Sequence, residues 1–383
     1  PKEHKSVVND KLLTVEANQA IITETVSEEE IPVTGILLDT VQITGADGEV
    51  LAAKKYELTF NSDGTVIITL LDEVETITVS YSKLDPTAVT KDDIILALEK
   101  VREVYPRFGM TPGLILAPGW SHDANVAAAI QAKSTAINGV FASECVLDIP
   151  TDESGAVTYG NVKAVKETLG MDSEHAIVCW PMAEIGEKRY YMSSLVAALI
   201  AYTDAQNSDV PYISPSNKSL NITSTVLADG TKVLLDQEQA NVVNSFGIVT
   251  ALNMNGYRCW GNNTAIYPAF TDPKDRWIPV RRFFTWRANS LILSYFQKVD
   301  NPTNYRLIES IVDSENIIGN SFVAQGYCGG YRVEFRSDEN PVTSLLDGTI
   351  KFHLYMAPFP PAEKIEFVLE FDTNALSTAL TGD

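Results

Sequence analysis

Gly113–Ile130 reads GLILAPGWSHDANVAAAI. A short apolar run, Leu114–Leu116, is stopped by Pro118-Gly119, and from Ala124 the small and apolar residues recur at helical steps. That is a strand entering a helix, and the same pairing repeats downstream. GVFASECVLDIP (Gly139–Pro150) precedes a helical pattern over 162–169, and HAIVCWP (His175–Pro181) precedes another over 193–202. With the helix from Ala124 to Ile137, the order strand, helix, strand predicts a parallel sheet covered on both faces.

Outside this region the period changes. From Val7 to Leu84 the chain is strand-like, with Ala46-Asp47-Gly48 and Ser62-Asp63-Gly64 as turns. Its clearest hairpin is YELTF, NSDG, TVIITLL (Tyr56–Leu71), because Asn and Asp-Gly accept the positive φ of tight turns. The acidic VSEEE (Val26–Glu30) reads as a solvated edge. Beyond Asp85-Pro86 a helical stripe of Ile94, Ile95, Leu98, Val101 and Val104 follows the N-cap candidate Thr90, so a boundary belongs there. Asn207–Asp236 is polar and reads as a surface excursion. Pro279 suits the start of a long helix with Phe284, Ala288, Leu291 and Tyr295 on one face, and a second helix is predicted over 305–318. The fold class is α/β and α+β multidomain: a β-sandwich over 1–85, a central α/β domain over 86–273 and a C-terminal α+β domain over 274–383.

The chemistry suggested by composition is sparse. Of 383 residues, 50 are acidic and 29 basic, a formal charge of -21, so the averaged surface repels phosphates and anionic lipid. Neither nucleic acid nor membrane is an expected partner. Cys145, Cys179, Cys259 and Cys328 lack the close spacing of a metal knuckle or redox dithiol and read as buried thiols of a reducing cytoplasm. The longest apolar run of the helical region, Leu195–Tyr202, is too short for a bilayer, and PKEHKSVVND (Pro1–Asp10) lacks the apolar core of a leader. Metal-ligand and phosphate-loop spacings are lacking, and no cofactor is expected.

Two stretches invite a stronger reading. Gly119-Trp120-Ser121-His122-Asp123 sits where a hydrolase nucleophile elbow would, with Ser121 as nucleophile and the β-sandwich as a binding module. The elbow needs a small residue where Asp123 stands, and capping of the next helix by Ser121 or Asp123 explains the same residues. A base for Ser121 would have to be His175 or His353. In DPKDRWIPVRRFFTWRAN (Asp272–Asn289), Arg276, Arg281, Arg282 and Arg287 interleave with aromatics as in a single-strand nucleic-acid groove. Four cations set against the net charge favour pairing with carboxylates of another domain or subunit.

The chain closes with MAPFPPAEKIEFVLEFDTNALSTALTGD (Met356–Asp383). Ile365, Phe367, Leu369 and Phe371 fall on one side of a two-residue period, and Lys364, Glu366, Glu370 and Asp372 fall mainly on the other, which predicts a strand. It either completes its own sheet or is donated to a neighbour. Three stretches, Arg102–Ile130, Asn255–Leu291 and the closing APFPPAEKIEFVLEFD, together resemble the contractile tail sheath proteins of bacteriophages and tailocins. The resemblance implies a non-enzymatic subunit with a subtilisin-like but non-catalytic central domain, the β-sandwich being an insertion near the outer surface. It further implies helical self-assembly around a tail tube protein, with baseplate and tail terminator proteins as further partners, in a virion tail assembled in the host cytoplasm. On it, Ile365–Phe371 is a strand exchanged between subunits.

Overall fold

In this computed structural model the described residues are 4–14, 19–26, 29–72, 76–85 and 88–381; side chains of 4–14, 25–26 and 29–30 are not described. Pro86, and 27–28 of the acidic edge, lie outside them. The chain forms two compact units, Pro1–Asp93 and Ile94–Asp383. The stretches 86–273 and 274–383, read separately from sequence, thus share the second unit, apart from its first residues.

Among its described residues the first unit holds eight strands: β1 (His4–Thr14), β2 (Gln19–Ile21), β3 (Thr23–Val26), β4 (Glu29–Pro32), β5 (Gln42–Gly45), β6 (Tyr56–Phe60), β7 (Val66–Leu70) and β8 (Thr76–Leu84). They make three-stranded antiparallel sheets ordered β1-β8-β5 and β2-β7-β6, plus the β3-β4 pair. Alternation decides what is buried. Val66, Ile68 and Leu70 of β7 and Ile77, Val79 and Tyr81 of β8 point into one core with Ile22, Ile36 and Ile43. The expected hairpin forms with Phe60 opposite Val66. Its turn is fixed by Asp63, whose Oδ1 accepts from Thr65 N at 2.9 Å and from Thr65 Oγ1 at 2.6 Å, while Gly64 takes φ +85°.

The unit boundary falls within α1 (Lys91–Leu98), and Thr90 caps that helix, its Oγ1 accepting from Asp93 N at 3.4 Å. The second unit continues with α2 (Val104–Phe108), β9 (Leu114–Leu116), α3 (Ala124–Thr135), β10 (Glu144–Asp148), α4 (Val162–Thr168) and β11 (Ala176–Cys179). Next come β12 (Met182–Ile185), β13 (Lys188–Tyr190), α5 (Met192–Ala205), β14 (Ser224–Val226), α6 (Gln237–Asn244), β15 (Ile248–Asn253) and β16 (Tyr257–Trp260). The central sheet has the order β16-β15-β11-β10-β9, parallel except for β16. Its middle strands are buried on both faces, which is why their sequences are continuous apolar runs rather than alternations. One face packs in a core with Val126 and Ile130 of α3 and Val243 of α6, and the other with Val196 and Ile200 of α5. Asn207–Asp236 departs from its reading as a surface excursion. Val210, Leu220 and the whole of β14 are buried, because β14 pairs with β12 as an antiparallel annex.

The last part contains α7 (Pro273–Arg276), α8 (Ile278–Tyr295), α9 (Tyr305–Ala324), β17 (Cys328–Phe335), α10 (Val342–Leu346), β18 (Phe352–Pro358) and α11 (Thr373–Thr381). Strands β17 and β18 form a two-stranded antiparallel sheet with a register shift between Cys328 and Tyr331. Phe283, Tyr327, Tyr331 and Val333 make its core, edged by Trp286 and Phe322. Helix α9 lies against β17 at Gly319, where a Cβ would run into the Tyr331 ring. Gly319→Ala is expected to lower unfolding free energy by about 1–3 kcal/mol, as overpacking does, whereas Gly326→Ala meets no neighbouring atom and acts only through its positive φ. Urea unfolding of the two variants separates packing from backbone strain.

Candidate functional site: the arginine helix and the carboxy-terminal arm

The four arginines singled out from sequence all find carboxylates, and all within the chain. Arg281 donates to Asp275 Oδ1 at 2.8 Å, six residues back. Arg282, 7% exposed, makes a two-pronged pair with Asp204 at the end of α5, the Oδ1 contact being 3.0 Å. Arg287, 4% exposed, donates to Glu315 of α9, and its Nε to Tyr331 Oη at 2.7 Å, while Tyr331 Oη donates to Glu315 Oε2 at 2.7 Å. Glu315 is 1% exposed, so this network joins α8, α9 and β17 inside the protein. Arg282 matches its carboxylate at two points, and Arg287 uses two edges of its guanidinium for two partners, geometries a lysine ammonium does not offer.

Arg276 differs from the other three. Its guanidinium lies 3.9 Å from the Trp277 ring and 4.3 Å from the Tyr267 ring. Nε donates to Asn263 Oδ1 at 2.7 Å and a terminal nitrogen to Glu363 Oε2 at 2.9 Å. Asn263 also reaches Glu363 Oε1, at 3.4 Å. Glu363 stands at the root of the terminal stretch read as a strand.

Beyond it the chain leaves the body. Residues 359–372 have no regular secondary structure and join neither β17 nor β18. Ile365, Phe367, Leu369 and Phe371 are 72%, 84%, 93% and 77% exposed, so among the described residues the alternating apolar row is left largely uncovered. α11 follows it, begun by Asp372, whose Oδ1 accepts from Asn374 N at 3.0 Å and Ala375 N at 2.9 Å. The reading of the terminus as a strand alone missed this helix.

The candidate elbow is structural. Asp123, not Ser121, caps α3, accepting from Asn125 N at 2.9 Å and Val126 N at 3.4 Å. Ser121 is 1% exposed, and its Oγ accepts from Asp148 N at 2.9 Å and donates to Asp148 O at 3.3 Å, tying the loop to the end of β10. Neither candidate base is bonded to it: His175 Nδ1 lies 3.6 Å from Glu144 and His353 faces Glu339. The Asp148 carboxylate is buried and accepts from Ser193 N at 2.8 Å and Ser193 Oγ at 2.5 Å. Lys166, also unanticipated, donates to the carbonyls of Phe246, Ala265 and Tyr267 at 2.6, 2.6 and 3.1 Å, using all three ammonium protons. All four cysteines are buried and free. Among the described residues no cluster could hold a metal, and no helix is long and apolar enough to cross a membrane.

Burial pushes the Asp148 carboxyl up to about 6, against the opposing pull of the Ser193 hydrogen bonds. The folded state therefore holds this proton more tightly than the unfolded chain. Its contribution is fully present below about pH 4, falls as pH rises, and is lost above about pH 6. Asp148→Asn keeps both contacts to Ser193 without the charge. Relative to wild type it is expected to gain about 2 kcal/mol on going from pH 4.5 to pH 7.5, read from urea titrations at the two pH values. Separately, Glu315→Gln, which leaves Arg287 buried without its counter-charge, is expected to cost about 3–5 kcal/mol.

No protein-family model matches the chain. Curated relatives do. The tail sheath protein of Burkholderia phage BcepMu is 26% identical over 326 residues, covering 79% of this chain and 66% of that protein. A putative prophage major tail sheath protein of Pseudomonas aeruginosa is 26% identical over 281 residues, covering 72% and 68%. The chain thus spans about two thirds of the length of these relatives. Among solved structures, the sheath complex of an extracellular contractile injection system (PVC) in its contracted state superposes with TM-score 0.58 at 18% identity, covering 75% of this chain and 82% of that one. The helical sheath of the anti-feeding prophage in its contracted state gives TM-score 0.55 at 18% identity, covering 76% and 83%. In sequence this chain is similar to phage and prophage tail sheath proteins, and it shares its mixed α/β fold with the sheaths of contractile injection systems.

Proposed function

We propose that the chain is the structural subunit of a contractile phage-type tail sheath, which polymerises helically around an inner tube and contracts to drive the tube through the host envelope. The observation that carries this reading, beside the sequence similarity, is the arm: four large apolar side chains at strand spacing, exposed in their own chain, with the other side charged except for Val368. Burying four such side chains is worth roughly 6–12 kcal/mol before ordering costs, enough to hold a subunit contact. The natural recipient is a sheet edge of another copy, and β17-β18, with only two strands, offers edges on both sides. A donated strand makes a heterologous contact, and heterologous contacts that do not close build a helix.

The remaining roles follow from that assembly. The first unit serves as the inserted, outward-facing β-sandwich, and the body, subtilisin-like in its sheet but without catalysis, packs ring on ring about the tail tube protein. Baseplate and tail terminator proteins bound the column at its ends. The subunits assemble in the host cytoplasm and reside in the virion tail. Contraction needs no active site, because rigid bodies linked by exchanged strands can slide between two packings. The four arginines fix the body internally in this reading, and Arg276 in addition is bonded to Glu363 at the root of the arm.

Removing Lys364–Asp383 from the full natural protein should shift its melting temperature by no more than about 2 °C, since the arm buries little of its own core. The intact protein is expected to form hollow cylinders in negative-stain images, and the same truncation should abolish them. Normal cylinders from the truncated protein would refute strand donation, and a melting temperature that drops by about 10 °C with aggregation would show that the strand belongs to its own sheet.

A further inference from the structure

We infer that Arg276 and Glu363 form a clamp that sets the point at which the carboxy-terminal arm leaves the body, and hence how far it can reach. The inference deepens the reading of the arm as a donated strand and rests on it for its purpose, but the clamp itself is a property of the single chain. Strand β18 ends at Pro358, and two contacts hold the five residues after it. The Phe359 ring lies against Gly329 of β17, where a Cβ would come within 3.2 Å of it, and Glu363 is bonded to Arg276 and Asn263. Pro360-Pro361 stiffens the span between these contacts.

The seat for Glu363 is rigid. Residues 262–264 pair with 276–278 through Thr264 N to Arg276 O and Ile278 N to Asn262 O, both at 2.8 Å, with Asn263 opposite Trp277. The Arg276 guanidinium is thereby stacked between two rings, and its free edge is presented to the arm. The side chains of Arg276 and Glu363 are 21% and 39% exposed, so the pair is reachable by solvent and screened by salt. Among the described residues, 364–381 form no hydrogen bond or ion pair with the body. Releasing the clamp, with Phe359 still seated on Gly329, would lengthen the free tether by the four residues 360–363, or about 14 Å of extended chain. A pinned, shorter tether concentrates the arm near one recipient edge, and a longer one dilutes it over a larger volume.

The test is made on the unassembled full chain, so that it does not depend on sheath formation. Nitroxide labels on Val368→Cys in the arm and Tyr202→Cys on α5, both exposed, can be introduced selectively because the four native cysteines are buried. Electron–electron double resonance then reports the body-to-arm distance distribution. At low salt the parent protein is expected to give a distribution at least twofold narrower than Glu363→Gln or Arg276→Lys. Raising sodium chloride to 1 M should broaden the parent to the width of Glu363→Gln and leave that variant unchanged. Glu363→Asp, which keeps the charge, should recover part of the narrowing. Equal widths for parent and Glu363→Gln, or a parent insensitive to salt, would overturn the clamp while leaving strand donation untouched. Cylinders lost on removal of the arm but retained in Glu363→Gln would uphold donation and remove the clamp from assembly.

Discussion

Helix α8 can be buried only because its guanidiniums are paired. In a chain with 50 acidic and 29 basic residues, cations are the scarcer partner, and α8 places two of them where solvent does not reach. Arg282 closes on the end of α5, so the helix is fixed to the central sheet. Arg287 closes on Glu315 and Tyr331, so α9 and β17 are fixed to the same helix. Without its counter-charge, a buried guanidinium would cost more than the aromatic packing of Phe283 and Trp286 returns. The bond network thus ties the central sheet to the β17-β18 layer within one compact unit. The tight approach at Gly319 follows from it, since Tyr331 must come close enough to α9 to reach Glu315.

That architecture was legible in the sequence wherever one short segment carried its own signal. The alternation in β7, the N-cap at Thr90, the continuous apolar runs of β10 and β11 and the proline-led start of α8 all appear where their local chemistry puts them. The signal failed where partners are distant. Arg282 lies 78 residues from Asp204 and Arg276 lies 87 from Glu363, and a run of arginines among aromatics gives no hint of which carboxylate each will take. Asn207–Asp236 misled for a related reason: its polar average hides Val210, Leu220 and Val226, which become core only because β12 supplies an edge for β14.

The candidate elbow was ambiguous in sequence because capping and catalysis draw on the same residue types. Geometry separates them. A nucleophile needs an exposed hydroxyl and a nearby base, whereas Ser121 is enclosed and spends its oxygen on the backbone of Asp148. The arm was legible as an alternating apolar row, but no strand forms there, and among the described residues Ile365, Phe367, Leu369 and Phe371 stand exposed.

The other face of that row governs what the arm can join. If two arms paired side by side in parallel register, Lys364, Glu366, Glu370 and Asp372 would each meet its own copy. If they paired antiparallel about Val368, Lys364 would meet Asp372, but Glu366 would meet Glu370. Stacking many arms into a fibril repeats those repulsions at every rung, about 4.8 Å apart. The carboxylates therefore disfavour arm-to-arm stacking, the part gatekeeper residues play beside an exposed apolar segment.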